Sequence, residues 1–253
     1  MGRFFMRLAR FLGTADCGDE MLSSLPISKG GNAGLDIDPL EIRKATAVAM
    51  VEGDAAIRKG WMHILEDWPG YRAAGGYRNG DEALQMLPHN PPDFVLMDID
   101  LPGMAGIECI RKLKRILPDT EILALTMFGG EEKDRIFQAL KAGASGNFLK
   151  RVRPIVLKAA MDDIQSGGAL MTPSIARLVV KHFKSTIPAR KAIRGSGMNC
   201  LSCEESEVMR LLSQGSQHSK IATDLHISLD AVRASIRRTY QKLHRHSGIR
   251  HRS

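Results

Sequence analysis

Between residues 46 and 165 the sequence alternates short apolar stretches with segments of helical periodicity, five times in succession. The apolar stretches predict strands at Thr46–Val51, Tyr71–Gly76, Phe94–Met97, Glu121–Leu125 and Asn147–Leu149. The periodic segments predict helices at Ala55–Glu66, Asp81–Met86, Ile107–Ile116, Lys133–Ala142 and Pro154–Gln165. Strict alternation of strand and helix is typical of a parallel sheet, because parallel strands need crossover connections. The sequence therefore predicts an α/β fold with a doubly wound, five-stranded parallel sheet.

The third predicted strand ends in an acid. Asp98 follows four apolar residues and precedes Ile-Asp-Leu-Pro-Gly, which is typical of a loop. A carboxylate at the carboxyl end of a buried parallel strand points into the crevice where open α/β sheets bind ligands. The alternative is an aspartate that caps a helix or a turn. Thr126 and Lys150 weigh against it, because they end the fourth and fifth strands and would meet Asp98 at one edge.

The last quarter of the chain has a different pattern. It predicts three helices, at Glu204–Ser213, Gln217–Leu225 and from Ser228 to about His244. Gly215 suits the end of the first helix. On the third helix apolar residues lie on one face and cations on the other, namely Val232, Ile236 and Leu243 against Arg233, Arg237 and Arg238. This segment predicts a small all-α domain.

Charge is distributed unevenly along the chain. The whole chain of 253 residues has a net charge of +8, and residues 185–253 hold twelve Lys and Arg against five Asp and Glu. A basic module on a nearly neutral body is typical of nucleic-acid binding, because neutralising phosphates supplies most of the sequence-independent affinity. The alternative is a surface whose charge only increases solubility. Composition alone leaves both open.

Length and composition limit the class of protein further. The chain is long enough for two small domains, which we place at 44–168 and 198–253, with a helix and linker at 169–197. Residues 1–43 lack periodicity beyond a weak basic amphipathic helix at Met1–Leu12, so we expect a disordered extension. Four scattered cysteines argue against a disulfide framework and predict a reducing cytoplasm. We expect no membrane span, because no apolar run is long enough.

Asp98, Thr126 and Lys150, at this spacing, resemble the phosphorylation site of receiver domains of bacterial two-component systems. The C-terminal segment resembles a LuxR-type helix-turn-helix in the residues Leu201-Ser202, Glu207-Val208, Leu211-Leu212, Gly215, Ile221-Ala222, Leu225, Ile227-Ser228, Val232-Arg233 and Lys242-Leu243. The pairing is similar to response regulators of the NarL/FixJ class, over about four fifths of the chain. This resemblance implies a flavodoxin-like strand order in the receiver.

The resemblance also implies a chemistry for the sheet edge. Asp98 would accept a phosphoryl group from a cognate sensor histidine kinase, and Lys150 and Thr126 would bind that group once it is formed. Magnesium would neutralise its charge, bound by Glu52, Asp98 and the backbone carbonyl of Asp100.

Two positions depart from the family pattern. Gly53 stands where the family has a second acid, so we expect a weakened Mg²⁺ site, although Asp54 could swing in beside the flexible glycine. Asn147 occupies the aromatic switch position, and Phe148, one place on, should face the other side of the strand.

In the helix-turn-helix, the resemblance implies that Arg233, Ala234 and Arg237 face base edges in the major groove. The residues implied to hold phosphates are Lys220, Ser235, Arg238 and Lys242. The alternative is a solvated cationic helix face. The family carries a fourth helix after the Lys-Leu pair. Here the sequence after Leu243 is short and polar, so we expect this helix to be missing and expect no dimerisation through it.

These predictions describe a DNA-binding response regulator of a two-component phosphorelay that controls transcription through phosphorylation of Asp98 and is not an enzyme. Its expected partners are double-stranded DNA and the kinase, and the receivers could form a homodimer. One alternative is a signalling protein that acts by protein contacts or phosphate uptake, its DNA-binding domain having decayed. Another is a DNA-binding regulator that works without phosphorylation.

Overall fold

A computed structural model describes residues 45–127, 133–168, 170–186 and 200–246. The five strands are β1 (Thr46–Val51), β2 (Tyr71–Tyr77), β3 (Phe94–Asp98), β4 (Glu121–Thr126) and β5 (Gly146–Leu149). The helices between and after them are α1 (Ala55–Glu66), α2 (Gly80–Met86), α3 (Gly106–Ile116), α4 (Lys133–Lys141), α5 (Pro154–Gln165) and α6 (Pro173–Thr186). The C-terminal helices are α7 (Cys203–Ser213), α8 (His218–Asp224) and α9 (Leu229–His246). A short 3₁₀ turn, Leu87–His89, follows α2.

The strands form one parallel sheet in the order β2-β1-β3-β4-β5. This is the flavodoxin-like order, so the predicted fold class is confirmed. Such an order reverses direction between β1 and β3, and the crevice at that point opens at the carboxyl ends of the strands. Asp98 lies opposite Leu125 and Thr126 lies opposite Leu149 in the register. The register therefore brings the ends of β3, β4 and β5 to the same edge.

Side chains on the two faces of the sheet bury different helices. Val48 and Met50 of β1 point into a cluster with α1 and α5, whose members include Trp61 and Leu157. Ala49 and Val51, the alternate residues of the same strand, point to the opposite face, which α3 and α4 cover. This alternation with a period of two gives a sheet that is covered on both faces, as the continuous apolar strands predicted.

The C-terminal helices begin and end at residues with the required chemistry. Ser202 and Glu205 form a reciprocal capping box at the start of α7. Gly215 has a φ of +90°, a left-handed conformation that lets the chain turn after α7. The Ser228 hydroxyl accepts a hydrogen bond of 3.0 Å from the Ala231 amide at the start of α9. The three residues predicted to face inward from α9 are fully buried: Val232, Ile236 and Leu243.

Helix α6 joins the sheet domain to the C-terminal helices. Ile175, Val179 and Phe183 of α6 are buried in the same apolar cluster as Val208 and Leu212 of α7. Because both halves contribute to this cluster, the helical domain packs against the sheet domain. The predicted N-terminal extension, most of the linker and the tail after His246 lie outside the described residues, and so does the prediction that a fourth helix is missing. Within the described part of the chain, no helix combines the length and the apolar character that crossing a bilayer requires.

Candidate phosphorylation site and DNA-reading face

Three ionisable side chains meet at the carboxyl edge of the sheet. Lys150 Nζ lies 2.8 Å from Asp98 Oδ2 and 2.8 Å from Glu52 Oε2. All three residues are buried. We call Glu52, Asp98 and Lys150 the acid–lysine site. Two carboxylates share one ammonium, so one negative charge is left over when all three groups are ionised. A cationic ligand or a proton can neutralise it.

Backbone contacts hold the acid–lysine site in place. The Asp100 amide donates a hydrogen bond of 2.8 Å to Asp98 Oδ1, and the Lys150 amide donates one of 2.7 Å to the Thr126 carbonyl. Gly106, the first residue of α3, lets that helix approach β3 closely, because a Cβ there would lie 2.1 Å from the Asp98 carbonyl oxygen. Sequence reasoning missed Gly106, because the need for a glycine at this position depends on how closely α3 approaches β3.

Burial and charge shift the pKa values of the acid–lysine site. Burial raises the pKa of Asp98, and the neighbouring Glu52 charge adds to this, although hydrogen bonds from Lys150 and the Asp100 amide act in the opposite direction. For Lys150 burial favours the neutral form, but the hydrogen bonds and charges of Asp98 and Glu52 outweigh it and raise the pKa. Lys150 is therefore a cation at neutral pH, fixed between two carboxylates.

The predicted metal ligands are only partly brought together. Glu52 and Asp98 face each other across Lys150, whereas the Asp54 carboxylate caps α1 and accepts hydrogen bonds from Ala56 N at 2.7 Å and Ile57 N at 3.0 Å. These backbone hydrogen bonds lower the pKa of Asp54. The alternative in which Asp54 swings into the metal site is therefore wrong for this structure, because the helix N-terminus holds its carboxylate.

Gly53 is closely covered by the loop after β3. A Cβ at this position would lie 3.0 Å from Pro102 Cδ. The Asp100 carboxylate lies 2.6 Å from Arg135 Nη2, which leaves its backbone carbonyl as the predicted ligand. Among the residues that the structure describes, no three His, Cys, Asp or Glu side chains are grouped as a metal site would need. Glu52 and Asp98 thus fit a cation with two carboxylates, fewer than the family pattern supplies.

The switch residues lie beside the acid–lysine site. Thr126 is buried at the end of β4, next to Leu149 in the register. Asn147 is half-buried on one face of β5, and Phe148 is buried on the opposite face, in the cluster with α1 and α5. Phe148 is therefore a core residue, as the alternation of the strand predicted.

The predicted base-reading residues lie near the receiver half of the chain. Arg233 Nη2 is 2.9 Å from Asp163 Oδ1 of α5, and Arg237 Nη1 donates a hydrogen bond to the Gly167 carbonyl. Gly167 has a φ of +79°, and a Cβ there would be 2.8 Å from the Arg237 guanidinium. We call Arg233, Ala234 and Arg237 the reading face. The receiver half engages both of its cations, so Arg233 does not point outward to solvent as predicted.

Two further hydrogen bonds attach α9 to the receiver and to the segment that directly follows it. Tyr240 Oη donates to the Leu170 carbonyl at 2.7 Å, and His244 Nε2 lies 3.3 Å from the Ala144 carbonyl. Burial raises the pKa of the Tyr240 phenol, so it remains a donor over the physiological range. No local sequence signal predicts these contacts, because the partners are 70 and 100 residues apart.

All four predicted phosphate-binding residues have partners within the helical domain. Ser235 is fully buried and donates to Glu204 Oε1 at 2.5 Å, so its predicted phosphate contact is wrong for this structure. Arg238 Nη2 lies 2.8 Å from Glu204 Oε1, and Lys242 Nζ lies 2.5 Å from Glu205 Oε2. Lys220 is exposed and lies 3.4 Å from Asp224. Sequence reasoning missed Glu204 because its partners are about 30 residues away.

Both halves of the chain match known protein families. Residues 48–162 match the response regulator receiver domain, and residues 199–250 match the LuxR family of bacterial regulatory proteins. The response regulator UvrY of Escherichia coli K12 is 29% identical over 202 residues, which are 80% of this chain and 89% of UvrY. The transcriptional regulatory protein DegU of Brevibacillus brevis is 25% identical over 206 residues, 78% of this chain and 86% of DegU.

Among solved structures, a LuxR-family two-component response regulator from Aurantimonas sp. SI85-9A1 is 30% identical, with a TM-score of 0.49. The match covers 55% of this chain and 97% of that chain. The chain belongs to the two-component response regulators of the NarL/FixJ class, in which a receiver domain is joined to a LuxR-type DNA-binding domain. The match to the LuxR family favours this class over a signalling protein whose DNA-binding half has decayed.

Proposed function

We propose that Asp98 accepts a phosphoryl group from a cognate sensor histidine kinase, and that this modification controls transcription through binding of the chain to double-stranded DNA. The acid–lysine site carries the proposal, because Asp98 is a buried strand-end carboxylate 2.8 Å from a buried ammonium. The kinase modifies Asp98, and the output is DNA binding, so we expect no enzymatic turnover. The compartment we expect is the cytoplasm, where kinase and DNA meet.

The proposed transfer makes one bond and breaks one. An oxygen of the Asp98 carboxylate forms the new P–O bond, and the P–N bond to the histidine of the kinase breaks, so the imidazole leaves with its electron pair. Lys150 supports the transfer, because its ammonium already lies beside Asp98 and can neutralise the equatorial phosphoryl oxygens. The hydroxyl of Thr126, at the end of the neighbouring strand, would donate to the phosphoryl group once it has formed.

A weakened magnesium site accompanies this proposal. Glu52, Asp98 and the Asp100 carbonyl would hold the ion, which when bound neutralises phosphoryl charge. We expect weaker binding than in receivers with a second acid, because Gly53 has no side chain and the Asp54 carboxylate is engaged as a helix cap. Lys150 pairs with both carboxylates and therefore competes with the ion for their negative charge.

The DNA-binding step requires that α9 move away from the receiver half. Arg233 and Arg237 would enter the major groove with Ala234, and each arginine can pair bidentately with guanine. In the described conformation these cations contact Asp163 and Gly167 instead. We propose that phosphorylation favours a conformation without these contacts, in which two receivers pair and bring two reading faces to one DNA site.

Phosphorylation of the full chain with acetyl phosphate and Mg²⁺ tests the proposal. We expect Asp98→Asn to abolish the acyl phosphate that the wild type forms, and Asp119→Asn, at an exposed aspartate in the loop before β4, to leave it unchanged. The second measurement is binding to genomic fragments with and without the phosphodonor. Acyl phosphate in Asp98→Asn at the wild-type level would refute the assignment of Asp98, and a wild type with no DNA preference in either state would refute the DNA-binding output.

A further inference from the structure

A group of five side chains connects the start of α7 with α9. It consists of Glu204, Glu205, Ser235, Arg238 and Lys242, and we call it the Glu204 cluster. Glu204 Oε1 accepts hydrogen bonds from Ser235 Oγ at 2.5 Å and from Arg238 Nη2 at 2.8 Å. Arg238 Nη2 also donates to Ser235 Oγ at 2.7 Å. The carboxylate of Glu204, the hydroxyl of Ser235 and the guanidinium of Arg238 are therefore all hydrogen-bonded to one another.

The two glutamates of the Glu204 cluster have different surroundings. Glu205 is 2% exposed, belongs to the capping box of α7, and lies 2.5 Å from Lys242 Nζ. Burial opposes its charge, but the hydrogen bonds from Lys242 and the Ser202 amide lower its pKa. The Glu204 side chain is 44% exposed and pairs with an Arg238 side chain that is 46% exposed. Glu205 is thus part of the domain's interior, whereas Glu204 lies at the surface.

The charges in the Glu204 cluster cancel. Arg238 and Lys242 contribute two positive charges, and Glu204 and Glu205 contribute two negative ones. A cation that binds a DNA phosphate releases a counterion, and this release supplies affinity for any sequence. A carboxylate 2.8 Å from Arg238 reduces that release, and it also repels a phosphate that approaches the guanidinium.

We infer that Glu204 limits sequence-independent DNA binding by neutralising Arg238 while holding it in place. This inference rests on the proposed function, because it requires that α9 contact DNA. Glu204 is a positioning residue: it acts through Arg238 and has no base or phosphate contact of its own. Its effect is to keep affinity for random DNA low, so that binding depends more on the reading face.

Glu204→Gln in the full chain isolates the charge from the geometry. The amide oxygen of glutamine can still accept from Ser235 and Arg238, but the negative charge is gone. With a random-sequence duplex and saturating acetyl phosphate, we expect the slope of log affinity against log salt to steepen by up to about 0.9, the value for one added phosphate contact. This is an upper limit, because Arg238 Nε keeps a second partner, Glu205 Oε1, at 3.3 Å. At 0.1 M salt this corresponds to up to about eightfold tighter binding.

Glu207→Gln is the matched control. Glu207 is on the same helix and pairs with Arg210 within α7, so this variant removes the same charge without altering a partner on α9. We expect its salt slope to equal that of the wild type. In an Arg238→Gln background, Glu204→Gln should no longer steepen the slope, because the cation that it would unmask is absent.

Each outcome decides for or against the inference. Equal slopes in Glu204→Gln and wild type would overturn it, and so would equal steepening in Glu204→Gln and Glu207→Gln, which indicates a general charge effect. If Glu204→Gln unfolds, Arg238→Gln is measured instead: it should leave the slope nearly unchanged, because Glu204 already neutralises Arg238, and a loss of about 0.9 would overturn the inference. A wild type that binds no DNA at all refutes the proposed function instead.

Discussion

The acid–lysine site and the reading face are both charged, and they obtain their partners in different ways. Glu52, Asp98 and Lys150 come from the ends of three strands of one sheet, and they contact each other. Arg233 and Arg237 lie on one helix, and their partners, Asp163 and Gly167, lie on another part of the chain. Parallel strands end at one edge of the sheet, so the topology alone brings their functional groups together. The contacts of a helix face depend instead on which part of the chain packs against it.

The largest effect should come from removing the shared cation of the acid–lysine site. We expect Lys150→Met to lower the free energy of unfolding by about 3–5 kcal/mol at neutral pH, because it leaves two buried carboxylates without their cation. Urea unfolding of the full chain measures this. If the loss is below about 1 kcal/mol, the carboxylates are solvated and the site is less closed than the structure indicates.

Lys158→Met is the control, because Lys158 forms an ion pair with Asp162 along α5, away from the sheet edge. The pH dependence sharpens the test. The folded-state pKa of Lys150 is raised above its ordinary value of 10.5. Its contribution is therefore complete below that value and is lost as the pH rises through the folded-state pKa. Above neutral pH, the stability gap between wild type and Lys150→Met should narrow as the pH rises through the folded-state pKa of Lys150.

A smaller effect should follow from weakening the contact between the reading face and the receiver half. Asp163→Asn removes the charge that Arg233 contacts at 2.9 Å. The release of α9 from the receiver half should therefore cost less free energy. We expect the unphosphorylated full chain to bind DNA about tenfold more tightly, the equivalent of about 1.4 kcal/mol.

Asp162→Asn is a close control, because Asp162 directly precedes Asp163 on α5 but contacts Tyr71 and Lys158. It should leave DNA binding by the unphosphorylated chain unchanged. Tighter binding in both variants would point to the net charge of α5, and no change in either would mean that the Arg233–Asp163 contact does not restrain the reading face.

The smallest effect should come from restoring a metal ligand. Gly53→Asp should lower the Mg²⁺ concentration needed for half-maximal phosphorylation by acetyl phosphate. The gain is limited, because a Cβ at this position would lie 3.0 Å from Pro102 Cδ and the loop after β3 must shift. Gly53→Asp combined with Pro102→Ala should therefore need less Mg²⁺ than the single variant.

Gly53→Ala is the control, since it has the same Cβ without a carboxylate. Equal Mg²⁺ requirements in all variants would refute the weakened-site prediction.

The glycines show which local signals were readable in the sequence. Gly215 was predicted at the end of the first C-terminal helix, because a left-handed residue there follows from helix geometry alone. Gly106 and Gly167 were not predicted, although each position requires a glycine as Gly215 does. Gly106 is required by the distance between α3 and the Asp98 carbonyl, and Gly167 by its approach to Arg237. Both depend on a neighbour that packing brings close.

The amino-acid sequence by itself determined that the chain forms a parallel sheet and that strands and helices alternate along it. It also determined that Asp98, Thr126 and Lys150 lie at strand ends. These features follow from short-range periodicity and from the rule that parallel strands end at a common edge. Only the tertiary structure decided that Asp54 caps a helix, that Ser235 is buried and that Glu204, Asp163 and Gly167 contact the cations of α9. Charged side chains on a helix surface have many possible partners, and long-range packing selects among them.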